Sequence, residues 1–198
     1  MRIGLFGGTF DPIHVGHLIV AEEAREQLDL EKMIFIPSGV SPHKHHRKIS
    51  DPSLRLEMTR LAIQGNEHFE LSDFEIGHQA ASFTVETVYH FRRTLGEEAE
   101  LFLIVGADSI LEISTWKEPQ KLLSQCEPVV AVRPGFDLDK LEPELLERVR
   151  ILEGVLVDVS STDIRKRVAA GRSLKYLVPA SVASFILEHK LYTRASST

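Results

Sequence analysis

Short, nearly continuous apolar runs alternate along this chain with stretches whose apolar residues recur at helical spacing. Ile3, Leu5 and Phe6 make the first run. Leu18, Ala21, Ala24 and Leu28 make the first helical stripe, with Glu22, Glu23 and Glu26 on its other faces. Apolar runs of this kind, punctuated by Gly and Pro, predict buried strands, and the stripes predict amphipathic helices. Further strands are predicted at Met33–Ile36, Leu101–Val105, Val129–Val132 and Val155–Val159. Phe69–Ile76 reads as an extended segment. Asp51-Pro52 reads as an N-cap with proline at the first helical position, followed by a buried stripe of Leu54, Met58, Leu61 and Ala62. A helix capped by Ser82 would bury Val85, Val88 or Tyr89, and Leu95. Leu138–Arg150 reads as a charged helix or an irregular excursion, and Pro179–Tyr192 as a last amphipathic helix. Strands alternating with helices predict an α/β fold around a parallel sheet. The expected architecture is a Rossmann-like three-layer sandwich, with a mainly parallel central sheet and helices on both faces, in one domain over residues 1–198.

Composition narrows the partners. The 198 residues are 43% hydrophobic, enough for an ordinary core, and carry a net charge of −6. That balance argues against a general binder of nucleic acid or anionic membrane, so any phosphate binding must be local. The single cysteine, Cys126, excludes an internal disulfide, fits a reducing compartment and reads as a packed residue beside an apolar strand. There is no run of about 18 apolar residues to span a membrane. Met1 leads into a strand with no signal-peptide pattern, so a cytoplasmic protein is expected.

Two stretches carry chemistry. In the first, the strand around Phe6 runs into Gly7, Gly8 and a turn through Asp11 and Pro12, and delivers His14 and His17 to the start of a helix near Gly16. A helix N-terminus offers unpaired N–H groups and the positive end of the dipole, which suits a phosphate. Two cations there oppose the dipole unless an anion sits between them. The plain alternative is a strand-to-helix turn with incidental histidines. In the second stretch, Ser160, Ser161 and Thr162 open a helix that carries Arg165 in its first turn and stops at Gly171. Ser161 or Thr162 can cap it, and the hydroxyls with Arg165 would make a clamp for phosphates. Between them, the loop Ser38–Lys48 gathers His43, Lys44, His45, His46, Arg47 and Lys48. For His45, His46 and Lys48 a solvated loop is the favoured reading. The histidines lack a carboxylate or cysteine spaced to complete a metal site. No GxxxxGK[ST], GxGxxG or HExxH pattern occurs, which removes phosphate-loop, dehydrogenase and zinc-protease readings.

GGTFDPIHVGH (Gly7–His17) resembles the signature of the HxGH nucleotidyltransferase superfamily, and SSTDIR (Ser160–Arg165) resembles its ISSTxIR motif. The middle of the chain is similar to the bacterial nicotinate mononucleotide adenylyltransferases: the PHK of Pro37–Lys44, SFTVET from Ser82, GAD from Gly106, TW at Thr115-Trp116, and AVRPG around Arg133. That resemblance implies adenylyl transfer from ATP to nicotinate mononucleotide (NaMN). It implies an ATP site of Gly7, Gly8, Thr9, Phe10, His14, Gly16, His17, Gly106, Asp108, Arg133, Ser160, Ser161, Thr162 and Arg165. The acceptor site would be Asp11, His43, Lys44, Ser82, Phe83, Thr84 and Trp116, with Trp116 stacked on the pyridine ring. His14, His17, Arg165 and Lys44 would carry catalysis. No protein metal site is implied, and Mg²⁺ would enter with ATP. For Asp108 a helix cap, for Trp116 plain packing, and for Arg133 a surface role stand as alternatives. An acceptor such as nicotinamide mononucleotide or phosphopantetheine, or a non-catalytic nucleotide sensor, is the rival function. The partners expected are the two small substrates, with no nucleic acid and no membrane, and a homo-oligomer stays open.

Overall fold

The computed structural model describes residues 1–39, 49–77, 83–132, 137, 141–154 and 157–193. Strands β1 (Arg2–Gly8), β2 (Lys32–Pro37), β3 (Phe69–Leu71), β4 (Glu100–Gly106), β5 (Glu127–Ala131) and β6 (Arg150–Leu152) form one sheet in the order β3-β2-β1-β4-β5-β6. All five pairings are parallel. The helices are α1 (Val15–Gln27), α2 (Pro52–Ile63), α3 (Thr84–Leu95), α4 (Ala107–Ile110), α5 (Pro119–Gln125), α6 (Pro143–Leu146), α7 (Ser161–Ala169) and α8 (Ala180–Glu188), with a 3-10 turn at Ile113–Thr115.

The apolar runs are buried on both faces because successive side chains of a strand point opposite ways. In β4, Leu101, Leu103 and Val105 join a core with Val85, Val88 and Phe91 of α3 and Leu122 of α5. Phe102 and Ile104 point to the other core, with Ala21 and Ala24 of α1, Met58 of α2, Ile164 of α7 and Val182 and Ile186 of α8. The result is the expected sandwich of helices on both faces of a parallel sheet. Cys126 is buried in the first of these cores, and burial pushes its thiol up to about 12. Among the described residues, no helix is long and apolar enough to cross a membrane.

The chain builds outward from β1 to β3, then returns to place β4 on the other side of β1. Strand order reverses there, and ligands of open α/β sheets collect at the carboxyl ends of strands flanking such a switch. Register levels those ends: Gly8 lies beside Pro37, and Gly106 beside Ala131.

Several elements depart from the sequence expectation. Among the described residues the last strand is Arg150–Leu152, and Val157–Val159 carries no strand; Val155 and Leu156 lie outside the described residues. As an edge strand, Arg150–Leu152 needs one partner only and takes β5, while Val157 and Val159 line a cleft beyond the sheet. The extended segment from Phe69 ends at Leu71, because Ile76 and Gly77 both donate to the Asp73 carbonyl at 2.9 Å and close a turn. Asp51 caps α2 as expected, accepting from the Ser53 N–H at 2.8 Å. The buried residues of α2, however, are Arg55, Met58, Thr59 and Ile63, with Leu54 only half-buried.

Arg55 is 1% exposed. Its guanidinium donates to the carbonyls of Ser50 at 3.0 Å, Thr9 at 2.8 Å and Ser38 at 2.6 Å. These oxygens lie where the chain leaves β1 and β2 and enters α2. A planar fork with five donors can serve three diverging acceptors at once. Beside it, Glu75 is buried and accepts from the Thr87 hydroxyl at 2.7 Å and from the Gly39 N–H. A Cβ on Gly39 would stand 2.2 Å from the Glu75 carbonyl oxygen, so only glycine fits this crossing. Burial pushes the Glu75 carboxyl above its ordinary range, against the pull of the Thr87 and Gly39 hydrogen bonds and of Arg55.

Two predictions follow from these buried charges. Arg55→Met leaves three part-buried carbonyls without their donor and should cost about 3 kcal/mol of stability in urea denaturation. Arg55→Lys should not restore it, since one ammonium cannot span the three oxygens. For Glu75 the folded chain holds a proton that the unfolded chain releases, so stability falls as pH rises from the ordinary value of 4.5 through the raised folded value. Glu75→Gln should flatten that fall, seen as a smaller change of the denaturation midpoint across the same pH range. An unchanged slope would remove Glu75 as its source.

Candidate active site

Two clefts open at the carboxyl ends of β1 and β4, one on each side of a shared ridge of Gly7, Gly8, Thr9, Gly106 and Ser109. The first, of about 330 Å³, gathers Phe10, His14, Gly16 and His17 from the start of the chain and Ser161, Thr162 and Arg165 from near its end. The second, of about 260 Å³, gathers Ser38, Glu75, Phe83, Thr84, Thr87, Trp116 and Lys117.

In the first cleft, His14 is the extended residue before α1, with φ −146°. Its backbone N–H donates to His17 Nδ1 at 3.2 Å, so the His17 ring proton sits on Nε2. The two imidazoles stack, with centroids 3.6 Å apart and planes 22° apart. Phe10 meets His17 edge-on at 5.1 Å and holds it from another side. Gly16 allows the stack, because a Cβ there would lie 3.1 Å from His14 Nδ1. His14 is 3% exposed, and His17 is half-buried at the cleft wall.

The second phosphate-type stretch is bonded directly to the first. Arg165 Nη1 donates to the Asp11 carbonyl at 2.6 Å, and Nη2 to the Thr162 hydroxyl at 3.2 Å. The Ser161 hydroxyl donates to the Pro12 carbonyl at 2.9 Å. That leaves the capping of α7 to Ser160, whose hydroxyl accepts from the Asp163 N–H at 3.1 Å and donates to its carboxylate at 2.8 Å. The cap expected at Ser161 or Thr162 therefore lies one residue earlier, since the Ser161 hydroxyl is spent on the other motif. Two imidazoles, a guanidinium and the first turn of α7 converge on one cavity, while the first N–H of α1, that of Val15, is taken by the Leu177 carbonyl at 3.0 Å. Such a set of donors can hold a polyphosphate.

In the second cleft, Thr84 opens α3, so the N-terminal end of that helix faces the cavity. Lys117 pairs with Glu86 at 2.6 Å and lies 4.5 Å over the Phe83 ring, which ties the Trp116 loop to the start of α3. Trp116 both packs on the adjoining core and lines the cleft. A flat indole beside a helix N-terminus suits a planar ring bearing an anionic group.

Not every sequence candidate stands on the expected wall, and Asp11 lines the first cleft rather than the second. Asp108 is exposed in the first turn of α4, and its neighbour Ser109 lines both clefts. The Asp11 carboxylate is turned inward, to Tyr192 and Ser50, and its carbonyl faces Arg165. His43, Lys44, Ser82 and Arg133 lie outside the described residues. Arg55, Glu75, Thr87, Lys117 and Tyr192 were not singled out by sequence. Their only signal was a polar residue in an otherwise apolar helical pattern, visible for Arg55 and Thr87. Among the described residues, no three His, Cys, Asp or Glu side chains come together to hold a metal ion.

The cytidylyltransferase-like family matches residues 5–167, a span that runs from β1 into α7 and so includes both stretches of the first cleft. A probable nicotinate-nucleotide adenylyltransferase of Moorella thermoacetica is 46% identical, over 96% of this chain and 91% of the relative. Another from Thermoanaerobacter sp. is 44% identical, over 98% of this chain and 95% of the relative. A solved structure, Plasmodium falciparum nicotinic acid mononucleotide adenylyltransferase complexed with NaAD, matches with a TM-score of 0.77 over 96% of this chain and 97% of its own at 18% identity, a likeness of fold. The chain belongs to the cytidylyltransferase-like family and, within it, to the nicotinate-nucleotide adenylyltransferases.

Proposed function

We propose that this protein is a nucleotidyltransferase that moves the adenylyl group of ATP onto NaMN, yielding nicotinate adenine dinucleotide and pyrophosphate in NAD biosynthesis. The observation that carries the reading is the pair of clefts sharing one glycine ridge. ATP occupies the first cleft with its triphosphate against His14, His17 and Arg165. NaMN occupies the second, with its ring against Trp116 and its carboxylate at the start of α3 near Thr84. Their phosphates meet over Gly7, Gly8 and Thr9, where backbone without side chains admits them. The relatives' names point to the same substrates. The whole chain acts as one nucleotidyltransferase domain, and the single buried thiol fits a reducing, cytoplasmic setting.

The chemistry needs no protein nucleophile. A phosphate oxygen of NaMN, ionised at neutral pH, attacks the α-phosphorus of ATP. The new O–P bond forms as the bond from the α-phosphorus to the bridging oxygen breaks, and pyrophosphate leaves with the electron pair. Catalysis is then alignment of the two phosphates plus stabilisation of charge on the leaving group. His17 Nε2 and Arg165 are the donors aimed at that charge, with the first N–H groups of α7 beside them and Lys44 as a further cation from the Ser38–Lys48 loop. Mg²⁺ enters this scheme as part of the ATP substrate.

Pyrophosphate release with Mg-ATP tests the reading. NaMN should support fast release, and nicotinamide mononucleotide and phosphopantetheine should not; release with either of those alone would overturn the acceptor assignment. His17→Ala and Arg165→Ala should each lower kcat roughly ten- to a thousandfold, the scale of losing one charge-stabilising donor. Wild-type turnover in a folded variant would remove that residue from the mechanism.

A further inference from the structure

The carboxylate of Asp11 is bound on both oxygens. The Tyr192 hydroxyl donates to Oδ1 at 2.6 Å, and the Ser50 N–H to Oδ2 at 3.4 Å. Asp11 is 4% exposed. The side chain held from both sides anchors the Cα from which the carbonyl of that residue projects, and this carbonyl is the acceptor for Arg165 Nη1 at 2.6 Å. Tyr192 comes from the far end of the chain. Behind α8, the Lys190 N–H bonds the Leu187 carbonyl at 3.2 Å and the Leu191 N–H bonds the Ile186 carbonyl at 2.9 Å. That is a Schellman turn with Lys190 in the left-handed region at φ +50°. Tyr192 follows in the same region at φ +59°. A residue without glycine's freedom keeps such a conformation only where its surroundings over-determine it. Here they include Met58, the Ser50 side chain and the Asp11 carboxylate. Burial and the nearby Asp11 charge push the phenol above its ordinary range, so it is a donor at neutral pH.

We propose that Tyr192 is a positioning residue of the phosphate clamp: through Asp11 it sets the direction in which Arg165 presents its guanidinium to the first cleft. The inference rests on the reading of Arg165 as a hydrogen-bond donor to the leaving pyrophosphate. Tyr192 touches no substrate in it. The C-terminal turn after α8 becomes part of the machinery for transfer, although no motif in that stretch announces it.

A double-substitution experiment on the full chain tests this. Tyr192→Phe removes one hydroxyl and keeps the ring against Met58. It should lower kcat roughly ten- to a hundredfold, the scale of a small misplacement of a catalytic group, with the thermal midpoint close to wild type. KM for NaMN should stay within about twofold, because the second cleft does not depend on Arg165. In an Arg165→Ala background the same change should alter turnover less than about twofold, since the group it directs is gone. Asp11→Asn keeps side-chain size and replaces one accepting oxygen by an NH2 that cannot accept, so the hydrogen bond from either Tyr192 or Ser50 is lost. It should reproduce the loss, and it carries the test if phenylalanine at position 192 prevents folding. Wild-type kcat for Tyr192→Phe, an undiminished loss in the Arg165→Ala background, or a change confined to KM for NaMN would each overturn the proposal. Full turnover by Arg165→Ala itself would overturn the clamp reading and this inference with it, which separates the two failures.

Discussion

Carbonyl groups at the carboxyl ends of the central strands have no further strand to bond, and here that shortage organises the site. Past β1, the oxygens of Thr9, Asp11 and Pro12 need donors; past β2, that of Ser38 does. Buried main-chain oxygens must find partners. Arg55 takes two of these and the Ser50 carbonyl from beneath, while Arg165 and Ser161 take the other two from the side of the cleft. The sheet thus ends in a layer of side-chain donors, and the phosphate-type loop is suspended between them.

That arrangement lets a net-negative chain present positive groups where they count. Arg55 is spent inside, on backbone oxygens, and gives shape to the loop without contributing an exposed charge. Arg165 is only partly spent, since one of its terminal nitrogens bonds a carbonyl and the other a hydroxyl, both neutral. Neither partner cancels its charge, so an anion entering the cleft meets a full cation. Lys117, by contrast, is already paired with Glu86, and its contribution is the ordering of the Trp116 loop against α3.

The two clefts depend on each other through their floor. Arg55 reaches Thr9 on the ridge and Ser38 on the wall of the second cleft. Gly39 crosses against Glu75, which in turn holds Thr87 of α3. A shift of the ridge therefore moves both walls together. In-line transfer between two phosphates asks for that, because the attacking and leaving groups must keep one axis.

The fold class was legible because it follows from local rules. Apolar runs such as Leu101–Val105 have no polar face to give to water, so they must be strands covered on both sides, and stripes such as Ala21, Ala24 and Leu28 must cover them. The Val157–Val159 part of the last apolar run misled for the same reason: a short apolar run can line a cleft as well as join a sheet, and only pairing decides. The histidines and Arg165 stood out in the sequence because groups that carry or can take a positive charge at a helix start oppose the helix dipole, and the structure brings them to one cleft. Arg55, Glu75 and Tyr192 were not, since a charged or phenolic side chain in a helical or polar stretch looks solvent-facing until the partner is known. The sequence by itself determined the alternation of strands and helices and brought forward the histidines and Arg165 as candidates for holding phosphate. Tertiary structure alone decided that Ser160 caps α7 so that Ser161 can reach Pro12, that Asp11 faces inward, and that Tyr192 meets it. Those contacts join segments far apart in the chain, and hydrogen-bond direction between distant segments is set by how the helices pack on the sheet, not by any local pattern.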